Sequence, residues 1–134
     1  MRVVVDTNVV VSAILRDRNP ERAILHLVAN ADWEWVVSAD ILAEYQAVLR
    51  RPKFGLPANI LGQWNERFRM AVVVWPVALP PEFQRDPKDA KFIACVLASE
   101  ADYLLTGDRD FESATDFPGV RTISISQFVA QFCQ

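Results

Sequence analysis

Met1-Arg2-Val3-Val4-Val5-Asp6-Thr7-Asn8 opens the chain, three valines stopped by a carboxylate, a hydroxyl and an amide. A run that is continuously apolar after Arg2, rather than alternating, marks a strand covered on both faces. Val9 to Leu15 is apolar enough to prolong that strand. The polar break at Asp6-Thr7-Asn8 and the Ser12-Ala13 pair favour a short helix over 8–15 instead. A buried strand running straight into a helix is the unit from which parallel sheets are built.

The rest of the chain repeats that unit. Residues 20–30 read as a helix, with Pro20 in its first turn and Ala23, Ile24, Leu27 and Val28 on one face. Trp33 to Val37 reads as a strand. Ser38 caps a helix over 39–50, which Arg51-Pro52 ends. Residues 53–59 form a loop with Gly55 and Pro57. Ile60, Leu61, Trp64, Phe68 and Ala71 have helical spacing over 58–71. Residues 72–75 form a strand closed by Pro76, and the four prolines of 76–87 predict an irregular connection. A helix over 87–100, a strand over 103–105, a short helix after it, a strand over 120–123 and a helix over 126–133 complete the order. The expected fold class is α/β, with a mostly parallel sheet covered on both sides.

A length of 134 residues fits a single domain spanning 1–134. With 51% hydrophobic residues, four Trp and eight Phe, the chain has material for a core and is neither a disordered tail nor a disulfide scaffold. Cys95 lies in an apolar helical run and reads as a core residue, and Cys133 lies near the end. No leader is read at the first residues, and no apolar stretch approaches the roughly 18 residues of a membrane span. The expected location is the cytoplasm. The net charge of −3 argues against a broad basic face for nucleic acid. It leaves room for a few backbone-holding cations, drawn from Arg16, Arg18, Arg50, Arg51, Lys53, Arg67, Arg69 and Arg109.

Acidic residues recur where strands end and helices begin. Asp6 either caps the next helix or acts as a metal ligand on a rigid strand end, with Asn8 beside it and Thr7 satisfying the turn. Glu44 borders the apolar arc of Ile41, Leu42, Tyr45, Val48 and Leu49, where it is either solvated or held at a cleft edge. In Asp86-Pro87-Lys88-Asp89, Asp86 fits the N-cap, Pro87 the first helical position and Asp89 the third position of a capping box, unless Asp89 instead faces the Asp6 cleft; Lys88 and Lys91 read as its solvated neighbours. Thr106-Gly107-Asp108-Arg109-Asp110 is a polar turn after an apolar strand, in which Asp108 or Thr106 caps a short helix through Phe111 or Asp108 acts as a ligand, with Asp110 secondary. Such acids repel one another by several kcal/mol when gathered, on the order of magnitude of a strong pKa perturbation, unless a cation sits among them. His26 is the sole histidine and far from these motifs, so a Cys/His zinc site is excluded and an all-oxygen Mg²⁺ or Mn²⁺ site is favoured.

The segments VVVDTNVVVSAIL (3–15), SADILAEYQAVL (38–49), DPKDAKFIACVLASEADYLLTGDRDF (86–111) and VRTISISQFV (120–129) resemble PIN-domain ribonucleases. The resemblance is to the bacterial and archaeal VapC-like branch, the toxins of toxin-antitoxin pairs. It implies a three-layer α/β/α sandwich and a homodimer. It also implies metal-dependent RNA hydrolysis, and a small antitoxin protein that blocks the site. Asp6, Glu44, Asp89 and Asp108 match the family's acidic quartet, and Asn8, Thr106 and Asp110 match supporting positions. The segments 52–57 and 76–87 belong to the variable part, so substrate choice does not carry over.

The reading is thus a Mg²⁺- or Mn²⁺-dependent endoribonuclease. Single-stranded RNA, or a structured loop, suits a chain without a large basic face. Phe54, Trp64 and Trp75 are the candidates for stacking on bases, with core packing as the alternative for each. The rival readings are a PIN nuclease of RNA maturation, a phosphatase using Asp6 as nucleophile, and a non-catalytic Mg²⁺-binding module. The second lacks an aspartate two residues after Asp6, and the third lacks a lysine at a late strand end. Trp33, Trp35, Trp64, Phe68 and Trp75 further suggest more large side chains than a small core hides, in line with a dimer.

Overall fold

The computed structural model describes residues 1–15, 18–77, 87–107 and 120–133, with the backbone alone for 87–89. The order is β1 (Arg2–Val5), α1 (Thr7–Ile14), α2 (Arg18–Ala29), β2 (Glu34–Val37), α3 (Ala39–Leu49), α4 (Ala58–Ala71), β3 (Val72–Val74), α5 (Pro87–Ser99), β4 (Tyr103–Thr106), β5 (Thr122–Ser124) and α6 (Ile125–Phe132). It matches the expected alternation. The short helix expected after β4 and most of the proline-rich connection lie outside the described residues.

Among the described residues, five strands form one parallel sheet in the order β3-β2-β1-β4-β5. β1 is central, pairing Val3 with Trp35 of β2 on one side and Val5 with Leu105 of β4 on the other. Val3, Val4 and Val5 are fully buried, as are Val36, Val37, Leu104 and Leu105. Successive strand residues point to opposite faces, so burial of every one requires helices on both sides. α5 packs on β1, β2 and β4 and against α3, while α1, α2 and α6 form a second group resting on β2, β4 and β5. The fold is a three-layer α/β/α sandwich.

The valines of α1 are β-branched and by local preference suit a strand. Two effects override that preference. Asp6 has an extended backbone and its side chain accepts from the Asn8 amide, so it serves as the N-cap. Val9 and Val10 are then fully buried by the helix they form. Ser38 caps α3 by accepting from the Ile41 amide at 3.2 Å, as the sequence suggests. α6 begins at Ile125 because Ser124 and Gln127 form a reciprocal capping box, which also explains why β5 lies later than the expected 120–123. α5 ends with Glu100 in the left-handed region at φ 54°, while the Ala101 amide donates back to Val96 O at 3.0 Å.

Several expectations are corrected. The loop after α3 contains a single 3-10 turn, Pro52–Phe54. Val28 is exposed rather than on the buried face of α2, because the arc of Ala23, Ile24 and Leu27 already meets the neighbouring helices. The large aromatics do not overflow the core. Trp35, Trp64 and Phe68 are buried, and Trp33 and Trp75 pack against the core from its margin. His26 makes edge contacts with Trp33 and Phe128, a packing role.

Candidate active site

The chain runs outward from β1 to β2 and β3, then returns to place β4 on the other side of β1. In an open parallel sheet such a reversal leaves a crevice beyond the carboxyl ends of the two strands. Asp6 follows β1 directly and is 5% exposed. Its amide donates to Leu105 O at 2.9 Å, extending the β1–β4 ladder by one step and setting Asp6 beside Thr106, the buried last residue of β4. Asp6 Oδ1 accepts from the Asn8 amide at a long 3.4 Å. The capping reading of Asp6 is therefore present, and it coexists with a place at the crevice.

A cleft of about 510 Å³ opens there, lined by Asp6, Thr7, Asn8, Val11, Glu44, Val48, Arg51, Lys53, Phe54 and Phe92. Asp6 comes from the end of β1 and Glu44 from the middle of α3, two of the four acids singled out from the sequence. Glu44 is brought in by its neighbour. Tyr45 is fully buried, its hydroxyl donates to the carbonyl of Val5, and Trp35 Nε1 donates to that hydroxyl at 3.4 Å. This anchors α3 to the last residue of β1, so the next side chain around the helix reaches the cleft. Burial pushes the Tyr45 phenol well above its ordinary value, and the Asp6 and Glu44 carboxylates add to the effect.

Glu44 is held from two sides. Thr7 Oγ1 donates to its Oε2, and Lys91 Nζ lies 2.6 Å from its Oε1. Both contacts correct the sequence reading. Thr7 spends its hydroxyl on Glu44 rather than on the turn backbone. Lys91 is not a solvated neighbour of Asp89 but a quarter-exposed partner of Glu44 reaching across from α5. Lys91 and Tyr45 are the residues that sequence reasoning missed. A lysine between buried Ala90 and Phe92 on an apolar helix was the available signal, but its partner is 47 residues away and only the fold names it.

Asp89 lies in the first turn of α5, two residues before Lys91, and its side chain is outside the described residues. Asp86, Asp108 and Asp110 are outside them entirely. Asn8 is exposed on the cleft wall. Among the described residues no group of three His, Cys, Asp or Glu side chains comes together. The donors that do meet, two carboxylates beside a hydroxyl, are all oxygen, which fits Mg²⁺ or Mn²⁺ and not a thiolate-seeking ion. Cys95 stands in the core, where burial pushes its thiol up to about 12. Among the described residues no helix is long and apolar enough to cross a membrane.

A family model described as PIN domain matches residues 2–110. No curated protein matches the chain. Among solved structures, a chain in the crystal structure of VapBC2 from Rickettsia felis bound to a DNA fragment from their promoter superimposes with a TM-score of 0.64. The match covers 92% of this chain and 98% of that one at 16% identity, a likeness of fold.

Proposed function

We propose, since this chain belongs to the PIN domain family of nucleases, that it is a metal-dependent endoribonuclease acting as the toxin of a toxin-antitoxin pair, with residues 1–134 as one catalytic domain. The observation that carries the reading is the convergence of Asp6 and Glu44, 38 positions apart in the sequence, on one cleft at the β1–β4 reversal. Asp89, at the start of the helix that supplies Lys91 and Phe92, and Asp108, two residues beyond β4, complete the proposed ligand set.

Bound Mg²⁺ or Mn²⁺ would lower the pKa of a water and polarise the phosphate. The chain's own residues do the rest. Tyr45 and the β1–β4 ladder hold Asp6 at a fixed place. Thr7 and Lys91 hold Glu44 in the cleft and offset its charge. Asn8, in the first turn of α1, and Thr106, at the end of β4, would support the ligands together with Asp110. No protein nucleophile is required, which separates this reading from a phosphatase.

The fold likeness to the VapBC2 chain supports the toxin role and an antitoxin partner. A second cleft of about 530 Å³, with Leu15, Leu25 and Ile60 on its walls beside Glu21, Gln63 and Arg67, offers a mixed apolar and charged surface that such a partner would cover. The homodimer rests on the family resemblance alone, because the core accommodates the aromatics that suggested it.

Digestion of mixed RNA with and without EDTA, with the cut ends mapped, tests the activity. Asp6→Asn keeps the side-chain shape and its capping oxygen but removes the charge. It should abolish cutting while the thermal melt in EDTA stays within a few degrees. Cleavage by Asp6→Asn at the wild-type rate in saturating Mg²⁺ would refute the assignment. If the active protein expressed alone causes no growth defect, the toxin role fails and the nuclease survives.

A further inference from the structure

The cleft that holds the acids has a second chemistry on its walls. Arg51, Lys53 and Phe54 line it together with Asp6 and Glu44. Arg51 and Lys53 are exposed, and among the described residues neither is paired with a carboxylate. Phe54 is half-buried, and among the described residues the side chains packed on the core do not include it. The Lys53 ammonium stands 5.1 Å from the centre of the Phe54 ring.

These residues are held in place by their backbone. α3 stops at Leu49, and Pro52 opens the 3-10 turn with its φ already restricted. The Phe54 amide donates to Arg51 O at 3.1 Å and the Gly55 amide to Pro52 O at 3.0 Å. Gly55 closes the turn at φ 55°, a left-handed conformation that costs glycine little. The two cations and the ring are thus presented by a short closed turn, anchored at one end to the helix that carries Glu44.

A carboxylate cleft repels a polyanion, so a nucleic-acid strand entering it needs cations beside the acids. Lys91 is already committed to Glu44. Among the described residues, Arg51 and Lys53 are the cations on the same walls without a carboxylate partner. Phosphate recognition does not call for an aromatic ring, but an unpaired base does, because every base has a face that stacks. Stacking of a base on an aromatic side chain is stronger than an exposed ammonium–ring contact, so a base can take the ring face and leave the Lys53 ammonium to a phosphate.

We propose that the turn after α3 is the strand clamp of this cleft: Arg51 and Lys53 hold phosphates flanking the cut, and one unpaired base stacks on Phe54. The proposal rests on the ribonuclease reading and deepens it to single-stranded RNA. A base inside a duplex has both faces covered by its neighbours and cannot use the ring without leaving the stack.

Fluorescence anisotropy in EDTA, where the strand stays whole, tests it with a short labelled single-stranded oligoribonucleotide of mixed sequence and a blunt-ended, fully paired RNA duplex of the same length. Arg51→Gln with Lys53→Gln should lower the slope of log affinity against log salt by about 1.4, since each phosphate contact on a single strand contributes roughly 0.7. Phe54→Ala should weaken single-strand binding roughly tenfold, leave the salt slope unchanged and leave the blunt-ended duplex unaffected. Thermal melts of all variants should match the wild type. In Mg²⁺ the clamp variants should lose kcat/KM mainly through KM. If the wild type cuts RNA and the variants bind and cut as it does, the clamp is refuted and the ribonuclease reading stands. If the wild type neither binds nor cuts RNA, both fall.

Discussion

Replacing Lys91 by Met should both destabilise the protein and sharpen its response to divalent cations. Lys91 Nζ lies 2.6 Å from Glu44 Oε1, with the two side chains 24% and 28% exposed. A fully exposed pair contributes about 0.2–1 kcal/mol, and breaking a fully buried pair costs about 3–5 kcal/mol. At a quarter exposure, with Thr7 still donating to Glu44, a loss of about 1–2 kcal/mol is expected in EDTA. For a chain of this length that lowers Tm by roughly 4–7 °C. Added Mg²⁺ should close the gap. An ion bound at Glu44, as proposed, would compete with the ammonium for the same oxygen, so removing the ammonium should strengthen ion binding. A tenfold gain in affinity adds about 1.4 kcal/mol of stabilisation once the ion is in excess. The assay is a thermal melt across a Mg²⁺ titration, run on wild type, Lys91→Met, Glu44→Gln and the double variant. In the Glu44→Gln background the second substitution should have little further effect in either condition. A Lys91→Met deficit that stays constant from EDTA to saturating Mg²⁺ would refute the competition between the two cations at Glu44.

Two further outcomes follow from buried groups near the sheet. Tyr45→Phe removes the hydroxyl that donates to Val5 O and leaves that carbonyl and the Trp35 indole N–H short of a partner; a loss of about 1–3 kcal/mol is expected by chemical denaturation, with a slower kcat because Asp6 follows Val5. Wild-type stability at Tyr45 would show that water or relaxation replaces the hydroxyl. Burial raises the Cys95 thiol from 9.0 to about 12, so this group's contribution is fully present below pH 9 and is lost as pH rises from 9 toward 12. Over that window the wild type should lose up to about 1.4 kcal/mol per pH unit more than Cys95→Ala, and parallel stability curves for the two proteins would contradict a buried thiol that resists ionisation.

The element order was legible in the sequence because each piece carries a local signal. Val3 to Val5 is uniformly apolar and had to be a strand covered on both faces. Asp6 and Ser38 mark helix starts with oxygens that accept from the following turn. Pro52 and Pro76 close the elements before them. These signals act over a few residues and need no partner elsewhere in the chain. The same locality explains the small misses: the capping box that moves the start of α6 to Ile125 competes with the strand before it, and the 3-10 turn at Pro52–Phe54 has too few residues to show a period.

The candidate site was legible as a set of residue types, and Asp6 and Glu44 do meet in one cleft. Which charges accompany them was not legible, because that depends on strand order and helix placement. Lys91 finds Glu44 only once α5 packs against α3, and Thr7 reaches Glu44 only once α1 and α3 are neighbours. Likewise, five large aromatics look excessive in a list, yet the sandwich hides three and packs two at its margin, since a sheet covered on both sides has two apolar interfaces to fill. Arg51, Lys53 and Phe54, with Pro52 among them, are an ordinary loop stretch until the fold sets them on the cleft beside Asp6 and Glu44. The sequence alone determined the elements and the residue types on offer to a site, because local sterics and hydrogen bonding set the first and composition the second. Only the tertiary structure decided which side chains share the cleft, because those contacts join residues dozens of positions apart through packing that no local pattern encodes.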